Sequence, residues 1–282
     1  MKTSFLIFFS VLTATCFSQS NTEVFLFDIG TTNSKISLKE PTNISNNEGY
    51  DNQPSFLSND AVIFASSRNG QTDIARYDLK YGSKSWLNFT EGGEYSPLKI
   101  PNKNEVSAVR LDKDGKQRLY LYNLRNGESK ELIQEQVVAY YTWYDENTIV
   151  SANIEEKNLN LYVNSLNNGT TKKYANNVGR SFHKIPNSKL ISFISKENDT
   201  WLIKSINPAN GKIKTVANTI DKVEDICWLN QNTILSGKDG VLYKLTLRKD
   251  NSWKEVADLK KHGITKITRL AINSNANKLL IA

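Results

Sequence analysis

The side chains of this sequence that could hold or transform a ligand come one or two at a time, at intervals of 40 to 46 residues: Asp51 and Asn52, Glu94 and Tyr95, Tyr140 and Tyr141, Arg180 with His183, Glu224 with Asp225, and Arg269. Arginine presents a planar fork of donors that matches an oxyanion, and tyrosine adds a flat face with a hydroxyl. Gathered in one place, these residues would form a polar pocket for a small anionic or sugar-like ligand, held between Arg180, Arg269 and the tyrosines. A paired-carboxylate hydrolysis could be built from Asp51, Glu94 or Asp225. Residues at one point of a repeat converge whatever the protein does, so the set is read as ligand-binding and no catalytic residue is assigned. The plainer expectation is that such polar groups are solvated or paired across a channel.

Other chemistries find less support. His183 and His262 are the two histidines, so neither a metal centre nor any other cofactor is expected. Asp112-Lys113-Asp114-Gly115 begins like a calcium loop but lacks the downstream bidentate acid, and a plain hairpin is expected there. No G-x-S-x-G nucleophile elbow occurs. The sequons at Asn43, Asn88, Asn168 and Asn198 matter only in a host that glycosylates them. Trp86, Trp143, Trp201, Trp228 and Trp253 fall in different strands and suit packing between units better than a carbohydrate platform.

These residues must be positioned by a repeated unit, seen best in the stretch 49–90. There QPSFLS and AVIFASS are apolar runs joined at Asn59-Asp60, TDIARYDL alternates after Asn69-Gly70, and KSWLNFT follows a turn at Gly82. The pattern is a four-stranded antiparallel meander. Further units follow, with Gly127, Gly169 and Gly211 in corresponding turns and Asp250-Asn251 expected to take the left-handed position in the fifth. Second-strand anchors at Ile63, Val106, Ile149, Leu190, Ile234 and Leu279 are 41 to 45 residues apart, the period of a propeller blade. The last unit stops after two strands, and the two strands it lacks stand at the start, in TEVFLFDIGTTNSKISLKE. The expected fold is an all-β, six-bladed β-propeller of four-stranded antiparallel blades, its last blade closed by N- and C-terminal strands.

The motifs SFLSND, SSRNG and TDIARYDL resemble the TolB-type propeller repeat, and the likeness extends more weakly through Ile100-Pro101-Asn102, Ile185-Pro186-Asn187 and Asn273-Ser274-Asn275. The resemblance covers nearly the whole mature chain and implies an exported protein that binds something. Its motifs specify a blade and not an activity. Two functions follow as expectations: a non-catalytic binding or protein-interaction module of the cell envelope, or a propeller enzyme, such as a lactonase or a sugar-polymer lyase or hydrolase, with its site in the central channel.

Compartment and partners are read from the ends and the charge. The opening MKTSFLIFFSVLTATCFSQS has the charged, apolar and small-residue regions of a secretory signal peptide. Residues 1–18 are expected to be removed after Ser18, leaving 19–282 as a single propeller domain in the periplasm or outside the cell. A lipoprotein anchor on Cys16 fits poorly, because Thr13-Ala14-Thr15 lacks the usual leucine and the small residue before the cysteine. The mature chain keeps Cys227 alone, so no internal disulfide can form and the thiol is read as a small buried apolar group. A formal charge of +7, with acids and bases interspersed, speaks against nucleic acid as a partner. A monomer with a protein or other envelope component as partner is expected, and not an integral membrane protein.

Overall fold

The computed structural model describes residues 21–33 and 35–282, and the expected leader and its cleavage point lie outside these residues. Short alternating runs bounded by turn residues fold as antiparallel strands, and in this chain they do so six times over. Blade 1 consists of Asp51–Ser58, Ala61–Arg68, Gln71–Asp78 and Ser83–Trp86, paired in that order. Arg68 pairs with Gln71 across a two-residue turn in which Asn69 and Gly70 both take positive φ, 48° and 80°. That is the mirror-image turn whose twist matches the flanking strands. Blades 2 to 5 repeat the order, with first strands Gly93–Lys99, Val138–Trp143, Val178–Lys184 and Ile226–Asn230.

Blade 6 is assembled from both ends of the chain. Leu270–Ile272 and Lys278–Ile281 supply its inner half, and Phe25–Thr32 with Lys35–Leu38 supplies the outer half. Phe25 to Asp28 pair antiparallel with Ile281 to Lys278, and Lys278 Nζ reaches Asp28 Oδ1 at 2.8 Å. Thr42–Asn43 adds a short strand against Phe25 and Leu26, and Thr22 bridges to Tyr50 of blade 1. The first strands neighbour one another in turn around the axis, blade 6 beside blade 1 included. The ring is therefore closed without an open edge between blades.

Two local expectations shift. Leu190 precedes its strand, Ile191–Ser195, by one residue and packs from the turn. In the last hairpin of blade 5 the positive φ falls on Arg248, at 63°, rather than on Asp250 or Asn251. There Asp250 accepts a hydrogen bond from the Thr246 amide and pairs with Lys254, so its side chain braces the turn from an ordinary backbone conformation.

Packing explains why the second strands read as unbroken apolar runs. Ile63 faces Ile74, Val106, Ala108 and Tyr122 between blades 1 and 2, whereas Val62 and Phe64 face Val24, Ile44 and Leu280 between blades 1 and 6. A strand covered on both faces loses the polar half of its alternation. Polar staples recur in the same interfaces: Trp143 Nε1 donates to Ser107 Oγ at 2.9 Å and Trp228 Nε1 to Ser192 Oγ at 2.8 Å, each serine lying on the second strand of the preceding blade. Truncating Phe64, which is fully buried, to alanine should cost about 3–5 kcal/mol in chemical denaturation. Phe89 is 80% exposed and stacks on Arg68, so its alanine variant should lose under about 1 kcal/mol.

Candidate functional site

Because first strands stand innermost, the residues that open and close them line the axis. A cavity of about 810 Å³ runs along it, lined from all six first strands. Tyr140, Tyr141, Arg180, His183, Asp225 and Arg269 border this cavity, as do Lys184, Cys227 and Trp228.

At one end of the cavity the charges form a fixed cluster. Arg180 grips Asp225 with one edge of its guanidinium, Nε to Oδ1 at 3.0 Å and Nη2 to Oδ2 at 2.5 Å. Arg269 Nη1 reaches the same carboxylate at 3.1 Å and also donates to the Thr268 carbonyl at 2.6 Å. Glu224 sits behind them, accepting the Arg180 amide at 3.0 Å and Lys196 Nζ at 2.8 Å. Gly179 permits that approach, since a Cβ there would lie 2.6 Å from Glu224 Oε2. Three cations against two carboxylates leave one positive charge unbalanced. Burial works against the charge of Arg180, but Asp225 and Glu224 hold its guanidinium above its ordinary value.

Tyrosines flank the cluster. The Arg269 guanidinium lies 5.9 Å from the Tyr140 ring centre, and Tyr50 and Tyr95 meet edge to face at 6.0 Å. Burial pushes the Tyr50 hydroxyl up to about 12, with Arg269 opposing, so it stays protonated at neutral pH. His183, reached by Ser181 Oγ at 3.1 Å, is pushed down to about 4 by burial and is neutral there. Tyr141 turns its hydroxyl toward Ser107 Oγ, at 2.8 Å, in the wall between blades 2 and 3.

Other expected site residues stand apart from the cavity lining. Asn52 donates to Thr268 Oγ1 at 3.3 Å, linking blades 1 and 6. Asp51 is fully buried beside Ser66 and Asn47; neither carboxylate oxygen has a hydrogen bond of normal geometry, and burial raises its pKa. Glu94 is fully buried as well, accepting from Thr90 Oγ1 at 2.5 Å, Asn88 Nδ2 at 2.7 Å and Tyr122 OH at 3.0 Å. Its partner Asn88 is thereby spent inside the fold, whereas Asn43, Asn168 and Asn198 are exposed. The carboxylates of the Asp112 loop are held by Arg110 and Arg118. Among the described residues no cluster of three or more His, Cys, Asp or Glu side chains could hold a metal ion.

Tyr50, Lys196 and the Thr268 carbonyl belong to the cluster without having been singled out in the sequence. Tyr50 adjoins Asp51 and could have been found by extending the rim one residue. Lys196 follows the second strand of blade 4, where nothing in the repeat marks a residue that turns inward.

No protein-family model matches the chain. No curated protein matches it in sequence. Solved structures do match in shape. A protein of Agrobacterium tumefaciens provisionally assigned as a TolB superposes with a TM-score of 0.67 at 10% identity, over 93% of this chain and 97% of that one. TolB from Acinetobacter baumannii gives a TM-score of 0.58 at 10% identity over 92% of this chain and 63% of that one. The fold is that of the TolB-like propellers. Oligogalacturonate lyase from Vibrio parahaemolyticus shares the architecture too, with a TM-score of 0.55 at 9% identity over 93% of this chain and 98% of that one. The chain spans just under two thirds of the Acinetobacter TolB, and at such identities the likeness concerns the fold alone.

Glu94 gives the fold a pH dependence. Burial, with Asp73 adding to it and three hydrogen bonds opposing, pushes its carboxyl up to about 7 from an ordinary 4.5. The folded state then keeps a proton that the unfolded chain has released. The associated stability is present in full below about pH 4.5 and is lost as pH rises through about 7. Urea midpoints should fall between pH 5 and pH 8 in the wild type and change less in Glu94→Gln; equal slopes would remove Glu94 as the cause.

Proposed function

We propose that this protein is an exported TolB-like propeller that acts as a non-catalytic binding module of the cell envelope, engaging its partner at the charged end of the axial cavity. The observation that carries this reading is the Arg180–Asp225–Arg269 ion triad. It presents positive charge to the cavity beside the Tyr140 ring, yet its one carboxylate is locked between two guanidiniums. General acid–base work needs a group free to take and return a proton near the working pH. His183 is a weak base in its buried position, and Glu94, tuned near neutrality, is bonded inside blades 1 and 2 away from the cavity. Export rests on the signal-like residues 1–18. Among the described residues, no helix is long and apolar enough to cross a membrane.

The second reading is a propeller lyase or hydrolase. It draws support from the shared architecture with an oligogalacturonate lyase and from a cavity large enough for a sugar residue. In that case Arg180, Arg269 and His183 would face the substrate.

Three measurements test these readings, the first the export and the other two the choice between module and enzyme. Fractionation with N-terminal sequencing should find the mature protein outside the cytoplasm, beginning after Ser18; a cytoplasmic protein with an intact leader would remove the export claim. Capture from native envelope extract should recover one reproducible partner, and Arg180→Gln should lose it. Turnover of a lactone or acidic oligosaccharide by the purified protein, abolished in His183→Ala, would instead establish the enzyme.

A further inference from the structure

Arg269 is the one member of the ion triad whose hydrogen-bonding capacity is largely unspent. Its Nη1 serves both Asp225 Oδ1 and the Thr268 carbonyl, while among the described residues its Nε and Nη2 have no hydrogen-bond partner. The side chain is nevertheless mostly buried, at 18% exposure, and it borders the axial cavity. A guanidinium normally satisfies its donors, and the edge formed by Nε and Nη2 is the one that matches both oxygens of a carboxylate. Arg180 has already used the corresponding edge on Asp225. The two arginines therefore differ: one is an internal brace and the other keeps a fork open.

Charge narrows what the fork would receive. With Asp225 and Glu224 counted against Arg180, Arg269 and Lys196, a single positive charge remains. One added negative charge balances the cluster, and a second would be held without a counter-charge. Beside the fork stands the Tyr140 ring, 5.9 Å from the guanidinium centre and bordering the same cavity.

We propose that the cavity binds an organic monocarboxylate, its acidic group on the Nε/Nη2 edge of Arg269 and its apolar body against the Tyr140 ring. The inference rests on the reading of the cavity as a binding site and names the chemistry it accepts. Arg269 selects for charge and planarity; Asp225 holds the arginine in place and is not displaced.

Benzoate is a suitable probe, with benzyl alcohol as its uncharged counterpart and inorganic phosphate as an oxyanion without an apolar body. Titration calorimetry should show benzoate binding to the wild-type protein at one site, with benzyl alcohol and phosphate each weaker by on the order of tenfold. Arg269→Gln should lose about the same factor, and Lys130→Gln, on the exposed outer strand of blade 2, should bind as the wild type does. A readout on the wild-type protein guards against a misfolded variant: in nitrogen-15 spectra benzoate should shift one arginine Nε–H signal strongly, and benzyl alcohol should not. Equal binding of benzoate and benzyl alcohol overturns the proposal, as does phosphate binding as tightly as benzoate, or no shift of any arginine Nε–H. If benzoate fails to bind while the envelope partner is still captured, the monocarboxylate is wrong and the binding-module reading stands.

Discussion

Closure of the ring is the constraint on which the rest depends. A four-stranded blade has two apolar faces and cannot cover them itself, so each blade is stable only between two neighbours. Five blades are made from local sequence, and the sixth exists only when Phe25–Thr32 pairs with Lys278–Ile281. That pairing brings the two ends of the chain into one hydrogen-bonded sheet. It also lets Val24 and Leu280 complete the apolar interface with blade 1. Without it, two blades would each expose a face.

Division of labour among the strands follows from this closure. The middles of the second strands are enclosed on both sides and are mostly apolar and small residues, as Ile191–Ser195 shows by being buried throughout. First strands line a cavity, and their opening residues are free of that demand. Arginine, aspartate, tyrosine and asparagine can therefore replace one another there from blade to blade without breaking the packing. The ion triad is built in this way, from Arg180, Asp225 and Arg269 at the starts of three blades. Its geometry is maintained by Glu224 and Lys196, which pair behind it.

The same closure sorts carboxylates that look alike in the chain. Asp51, Glu94 and Asp225 all stand at the start of a first strand, yet each has a different environment. Asp225 faces two guanidiniums on the axis. Glu94 is turned among Thr90, Asn88 and Tyr122. Asp51 lies beside Ser66, where the N-terminal segment crosses blade 1 through the Thr22 to Tyr50 bridge. Burial raises the pKa of the last two, and neither borders the cavity.

What the sequence determined by itself was the periodic part. Alternation, the Asn69-Gly70 turn and the repeat of about 41 to 45 residues depend on backbone geometry that each segment carries locally, and the complementary ends announced the closing blade. It also placed Arg180, Asp225 and Arg269 on one rim, since equal positions in a repeat converge. Tertiary structure alone decided which way each rim side chain turned and what it met there. Those outcomes depend on contacts between residues 44 or 45 positions apart, such as Arg180 with Glu224 and Asp225. They depend as well on Lys196, which no repeat position marks. A repeat fixes where a backbone starts a strand; the partners that compete for each side chain are known only once neighbouring blades are packed.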